Sequence, residues 1–153
     1  MSNTAPVNRH ATAIVIGTSG LLFIGPSGTG KSAVALHCIE AARARGLFAA
    51  LVGDDQVLIT EAHGRLIARA PESIAGLAEV RGAGIVTVET IEAAVLTRAI
   101  RLIEPPFTER LPPEEETVEI LLSFPLPLTR LPLFPGVSAF SALVAIHPEI
   151  LKS

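Results

Sequence analysis

The chain has no tryptophan, no tyrosine, one cysteine and one methionine among its 153 residues. Six phenylalanines are therefore the whole aromatic complement. That is too few exposed rings for a protein that binds nucleic acid by stacking bases. A single cysteine excludes an internal disulfide. Cys38 falls in a helical pattern and reads as a buried structural thiol. Charge is sparse as well, at 18% of residues with a net of −3, so no overall basic field faces DNA or RNA. No Cys/His cluster has zinc-ligand spacing, and no nucleophile-elbow pattern is present. No stretch approaches the ~20 apolar residues of a membrane helix. Met1–Arg9 is polar and has no apolar signal core, so the expected location is the cytoplasm. What the chain has in quantity is hydrophobic residues, 49% of the total. That supplies a substantial core for one domain over residues 1–153, with the further expectation that some apolar surface is buried in an oligomer.

One stretch organises the rest. An apolar run, Leu21–Ile24, leads into Gly25, Pro26, Ser27, Gly28, Thr29, Gly30, Lys31 and Ser32. Gly25, Gly30, Lys31 and Ser32 fill every fixed position of the G-x-x-x-x-G-K-[ST] phosphate-loop pattern. The chemistry explains the residue types. Backbone N–H groups must wrap a polyphosphate, so Gly28 and Gly30 remove Cβ atoms where φ is positive. Lys31 can reach the β- and γ-phosphates of such a chain, and the Ser32 hydroxyl can ligate Mg²⁺. The following helix N-terminus adds partial positive charge. In this reading Lys31 faces solvent when no nucleotide is bound.

The pattern around the loop predicts a mixed α/β domain. His10–Ile16 reads as a strand, Gly17–Gly20 as a turn, and Leu21–Ile24 as a second strand antiparallel to the first. A helix over Lys31–Arg45 places Val34, Ala35, Cys38, Ile39 and Ala42 on one face and ends at Gly46. Phe48–Val52 is a buried strand, and Val57–Glu61 with Arg65–Arg69 a hairpin. Ser73–Val80 reads as weakly helical or irregular, and Arg81–Gly84 as a turn before Ile85–Val88. Arg98–Ile103 and Val118–Leu122 read as strands. The acidic run Glu114–Glu116 reads as a solvated face, and Leu131–Gly136 as extended and broken by proline. A last helix covers Val137–Ile146 with Ser138 as a candidate N-cap.

Two aspartates, Asp54 and Asp55, close the strand that follows the phosphate-loop helix. A carboxylate there can hold Mg²⁺ or take a proton from an attacking hydroxyl, and two adjacent ones allow the jobs to be divided. A turn or helix cap is the other reading of the pair. Glu79 and Arg81 precede a flexible glycine pair and suit a second Mg²⁺ contact and an anion contact, or else a surface ion pair.

The order of these pieces resembles the catalytic domain of the HPr kinase/phosphorylase family. The matching residues are His10, the loop Gly25–Ser32, Gly53–Asp54–Asp55, Glu79–Val80–Arg81–Gly82–Ala83–Gly84–Ile85, Glu109–Arg110–Leu111 and Pro132–Leu133–Phe134–Pro135–Gly136. The resemblance implies a P-loop-containing mixed sheet with flanking helices, of the HPr kinase and PEP-carboxykinase-like type. It implies an ATP- and Mg²⁺-dependent protein-serine kinase acting on HPr, a small phosphocarrier of the sugar phosphotransferase system. It also implies phosphorolysis of the product, with inorganic phosphate as acceptor and pyrophosphate released. Carried over by position, Lys31 grips the phosphates, and Ser32 and Glu79 serve Mg²⁺. Asp55, or Asp54, is the base, while His10 and Arg110 assist at the phosphate. A homohexamer is implied as well. The sequence departs from the family in having Val137–Ser138 after Gly136, where the family has arginine in a segment tied to phosphorolysis and subunit contacts. The rival readings are a P-loop kinase or carboxykinase-like enzyme acting on a small metabolite, and a nucleotide sensor that transfers nothing.

Overall fold

The computed structural model describes residues 5–107 and 110–152. Glu109 and residues 1–4 of the polar N-terminal stretch lie outside the described residues. The chain order is β1 (Val7–Arg9), β2 (Thr12–Ile16), β3 (Ser19–Ile24), α1 (Lys31–Ala44), β4 (Ala49–Gly53), β5 (Val57–Ala62), β6 (Arg65–Arg69), β7 (Leu77–Val80), β8 (Gly84–Thr87), β9 (Ala93–Val95), β10 (Arg98–Ile103), β11 (Thr117–Leu121), β12 (Phe124–Pro132) and α2 (Ala139–Ile146), with short 3-10 turns at Glu72–Ile74 and Pro148–Lys152. Six strands form the main sheet in the order β11-β12-β10-β3-β2-β4, four form a smaller sheet β1-β5-β6-β9, and β7-β8 is a separate ribbon.

The alternation of buried residues along β2 and β3 shows why these short strands lie at the centre. Leu21 and Phe23 face α1 with Ile14, Ile16, Ala35, Cys38 and Ile39, while Leu22 and Ile24 face the smaller sheet with Ala13, Val15, Val52 and Ile59. A sheet covered on both faces needs apolar residues at successive positions, which is why Leu21–Ile24 is an unbroken apolar run. Each large side chain buried in this way contributes roughly 1.5–3 kcal/mol. Cys38 is fully buried in the α1 face, and burial pushes its thiol up to about 12. Gly46, at φ 79°, ends α1 as the sequence predicts. At Gly20 the reason for glycine is space: an added Cβ would lie 2.0 Å from the Val95 carbonyl oxygen.

The topology brings the candidate residues to one edge of the sheet. β3 pairs antiparallel with β2, and β2 antiparallel with β4. So β3 and β4 run the same way, and their C-terminal ends lie beside the N-terminal end of β2. The phosphate loop, Asp54–Asp55 and His10–Thr12 therefore converge. Parallel α/β sheets place ligands at this end of their strands.

Several expectations need correction. The first strand does not begin at His10: the chain pairs as β1, bends at His10, and re-enters as β2 at Thr12. The bend is held by Ala11 N–H donating to the Asp55 carbonyl at 3.2 Å. Within Ser73–Val80, Leu77–Val80 is a strand, because pairing with β8 overrides weak local preference. The acidic run is not uniformly solvated: Glu116 is drawn into a bidentate pair with Arg130, both bonds 2.9 Å. The nine-residue strand β12 was hidden by its prolines. Leu128 N–H donates toward β11, to the Glu116 carbonyl. By alternation the nitrogens of Pro125 and Pro127 point toward β10, whose pairing begins only at Leu128. Pro132 points away from β10, past the end of β11. None of the three removes a ladder bond, which is how proline is tolerated in a strand. Among the described residues, no helix is long and apolar enough to cross a membrane.

Candidate active site

The phosphate loop leaves β3 with Gly25, Gly28 and Gly30 at φ 138°, 84° and 91°, the left-handed region that glycine enters without a Cβ penalty. Gly30 is the residue from which α1 starts. Lys31 corrects the expectation of a solvent-facing lysine: it is only 7% exposed. Its ammonium donates to the carbonyls of Gly25 at 2.8 Å and Pro26 at 2.9 Å, folding the side chain across the loop mouth. Burial lowers its pKa, and the neighbouring charges of Asp55 and Asp54 work against that shift. Thr29 Oγ1 closes the loop by donating to the Pro26 carbonyl at 2.9 Å.

Asp54 is the hub. It is 5% exposed and accepts three hydrogen bonds: Ser32 Oγ at 2.6 Å and Thr12 Oγ1 at 2.9 Å on one carboxylate oxygen, and Glu79 N–H at 3.0 Å on the other. Asp55, next in the chain, faces the opposite way. Its side chain is 63% exposed, and His10 Nε2 lies 2.5 Å from its carboxylate. The two aspartates thus sit in different environments, one enclosed by donors and one open at the rim. Ser27 Oγ is 3.5 Å from the same His10 nitrogen. Glu79 and Arg81 lie on the β7-β8 ribbon, which caps the pocket, and a Cβ on Gly28 would come 3.8 Å from Arg81 Nη1. The pocket holds about 250 Å³.

The structure brings together the phosphate loop, His10, Asp54, Asp55, Glu79 and Arg81. Arg110 does not join them: it lines a separate cavity of about 870 Å³ with Arg98, Phe107, Phe134 and His147. Sequence reasoning missed Thr12, whose signal was a lone hydroxyl in an otherwise apolar strand. It also missed the backbone N–H of Glu79, which no side-chain pattern reports. The serine hydroxyl, the Asp54 carboxylate and the Glu79 carboxylate are hard oxygen donors of the kind Mg²⁺ takes, and Ser32 already lies within hydrogen-bond distance of Asp54.

A glycine loop between a sheet strand and a helix, with a hydroxyl at its end bonded to an aspartate just past the end of the next strand but one, defines a P-loop α/β domain. The chain belongs to the HPr Serine kinase C-terminal domain family, whose model matches residues 3–146. It is similar in structure to the Hpr(Ser) kinase/phosphatase from Coxiella burnetii, with a TM-score of 0.76 and 26% identity, covering 95% of this chain and 92% of that one. It is 34% identical over 147 residues to the HPr kinase/phosphorylase of Bacillus licheniformis, covering 88% of this chain and 45% of the relative. Against the HPr kinase/phosphorylase of Chlorobaculum tepidum it is 33% identical over 153 residues, covering 90% of this chain and 42% of the relative. The chain spans under half the length of these curated relatives.

Proposed function

We propose that this chain is the catalytic domain, over residues 1–153, of an ATP-dependent protein-serine kinase. Its acceptor is a seryl residue of an HPr-like phosphocarrier, and it acts in the cytoplasm. The observation that carries this reading is the contrast between the two aspartates: Asp54 enclosed against Ser32, and Asp55 two-thirds exposed at the rim of a small pocket. A pocket of about 250 Å³ is below the ~300–1,000 Å³ of typical small-molecule sites. It suits a phosphate chain, with an acceptor that arrives from outside on a larger molecule. A small-metabolite kinase would need a deep pocket beside Asp55.

In this mechanism Gly28 and Gly30 let the loop backbone approach the β- and γ-phosphates. Lys31 exchanges its contacts with the Gly25 and Pro26 carbonyls for phosphate oxygens. Asp55 takes the proton of the seryl hydroxyl as its oxygen bonds to the γ-phosphorus and the bond to the β-phosphate oxygen of ADP breaks. His10 orients the Asp55 carboxylate. Ser32, Asp54 and Glu79 would hold Mg²⁺, which neutralises phosphate charge when bound. In phosphorolysis, inorganic phosphate attacks the phosphoseryl phosphorus, pyrophosphate forms, and protonated Asp55 returns its proton to the seryl oxygen.

The test is incubation of the purified domain and an HPr protein with γ-labelled ATP and Mg²⁺. Label on a seryl residue is the expected result; label on a small molecule alone, or on nothing, refutes it. The same reading includes a homohexamer. Exposed Leu122, Leu111 and Ile85, at 85%, 75% and 65%, are apolar surface that an assembly would cover. Sedimentation showing only the 16.0 kDa monomer at micromolar concentration would contradict it.

A further inference from the structure

Behind the phosphate loop, on the sheet face opposite α1, lies a second cleft of about 560 Å³. Arg9 at the end of β1 and Arg101 of β10 line it, together with His10 and the Gly25–Pro26 segment of the loop. Arg101 stands directly across from Ile24, the last strand residue before the loop. Both arginines are half-buried. No carboxylate lines this cleft among the described residues. Neither guanidinium is engaged in a hydrogen bond or ion pair among them. Other arginines differ: Arg43 meets Glu89, Arg69 meets Glu92, and Arg130 meets Glu116. Arg101 lies near enough to Glu116 to help lower that carboxyl's pKa, but both Glu116 oxygens are hydrogen-bonded to Arg130.

Two partly desolvated cations sharing one cleft that no carboxylate lines are an electrostatic cost, in a chain whose net charge is −3. An anion between them removes that cost. Guanidinium forks match tetrahedral oxyanions through paired N–H donors. The cleft is walled from the main pocket by the first turn of the loop, whose carbonyls hold Lys31, and by His10, which lines both spaces. An anion here would therefore not compete with a nucleotide in the loop.

We propose that Arg9 and Arg101 form a second oxyanion site that takes a phosphate group, distinct from the phosphate loop. Its ligand is either free inorganic phosphate or the phosphate of a phosphoseryl residue. Its use in the reaction rests on the kinase reading; its capacity to bind does not.

The experiment is calorimetric titration of inorganic phosphate into the protein saturated with Mg²⁺ and a non-hydrolysable ATP analogue, so that the phosphate loop is filled. Wild type should still bind one phosphate per chain. Arg9→Gln/Arg101→Gln should weaken that binding at least tenfold while leaving analogue affinity unchanged. Arg9→Gln alone, at the end of a three-residue edge strand, serves if the double variant does not fold. A phosphoseryl peptide that displaces the phosphate identifies the protein-borne group as a ligand; failure to displace it identifies the free ion. No phosphate binding with the loop filled, or binding untouched by the arginine variants, overturns the site. If the analogue does not bind at all, the nucleotide reading fails. Phosphate binding without analogue, lost in the arginine variants, would then still support this site.

Discussion

Replacing each aspartate of the pair by asparagine should separate two roles that adjacent positions conceal. At Asp54 the side chain is buried and accepts three hydrogen bonds. Asparagine keeps the shape but offers one oxygen. If that oxygen stays with Ser32 and Thr12, the new NH₂ group faces the Glu79 N–H, donor against donor. Hydrogen bonds to a charged acceptor are worth about 1.5–3 kcal/mol against about 0.5–1.5 for a neutral one, and a stranded buried donor costs about 1–3 kcal/mol. Asp54→Asn should therefore lose roughly 2–4 kcal/mol of stability as well as activity. Asp55 is different. Its φ of 68° is one that asparagine tolerates as well as aspartate, so the substitution adds no backbone strain. Its contact with His10 is largely exposed, and pairs of that kind contribute about 0–1 kcal/mol. Asp55→Asn should keep stability within about 1 kcal/mol, keep ATP affinity, and lose about 10²–10⁴-fold in turnover as a missing general base. Urea denaturation, nucleotide titration and single-turnover transfer, run on both variants in parallel, decide the matter. If Asp54→Asn is as stable as wild type, the hub account is wrong. If Asp54→Asn is inactive and Asp55→Asn active, the base assignment is reversed.

Other outcomes follow from the same geometry. Lys31→Ala removes the ammonium that bridges the Gly25 and Pro26 carbonyls, and should cost at least ~3 kcal/mol in the transfer barrier; turnover within tenfold of wild type would refute the phosphate-clamp role. The hydrogen bond from Arg130 holds the Glu116 carboxyl below its ordinary value of 4.5. Its contribution to stability is therefore present above that value and lost as pH falls through the depressed one. Glu116→Gln should flatten the acid limb of a stability-against-pH curve and leave the neutral region less stable; an unchanged acid limb contradicts the pair's role. Gly20→Ala drives a methyl against the Val95 backbone at 2.0 Å and should lose about 3 kcal/mol or more in thermal denaturation, whereas a melting point near wild type would mean that β9 yields easily.

The parts of this protein legible in the sequence are those set by neighbours in the chain. The phosphate-loop spacing, the buried face of α1, its glycine stop, the β5-β6 hairpin, Arg98–Ile103 and the Ser138 cap all follow from periodicity, capping or turn chemistry within a few residues. What escaped was decided by pairing with a partner strand. Leu77–Val80 becomes a strand because β8 returns to meet it, and β12 keeps its prolines because partner strands begin and end where the missing N–H groups need no acceptor. The candidate site has the same division. Asp54, Asp55, Lys31 and Ser32 could be named from residue type and position. That Asp54 faces Ser32 and Thr12 while Asp55 faces His10 depends on β2 lying between β3 and β4. The separation of Arg110 from the phosphate loop, and the placing of Arg9 and Arg101 on one cleft although more than half the chain lies between them, likewise depend on strand order. Local sequence sets each element's own backbone preference, while strand order comes from the burial of two apolar faces at once, which no short window of residues contains.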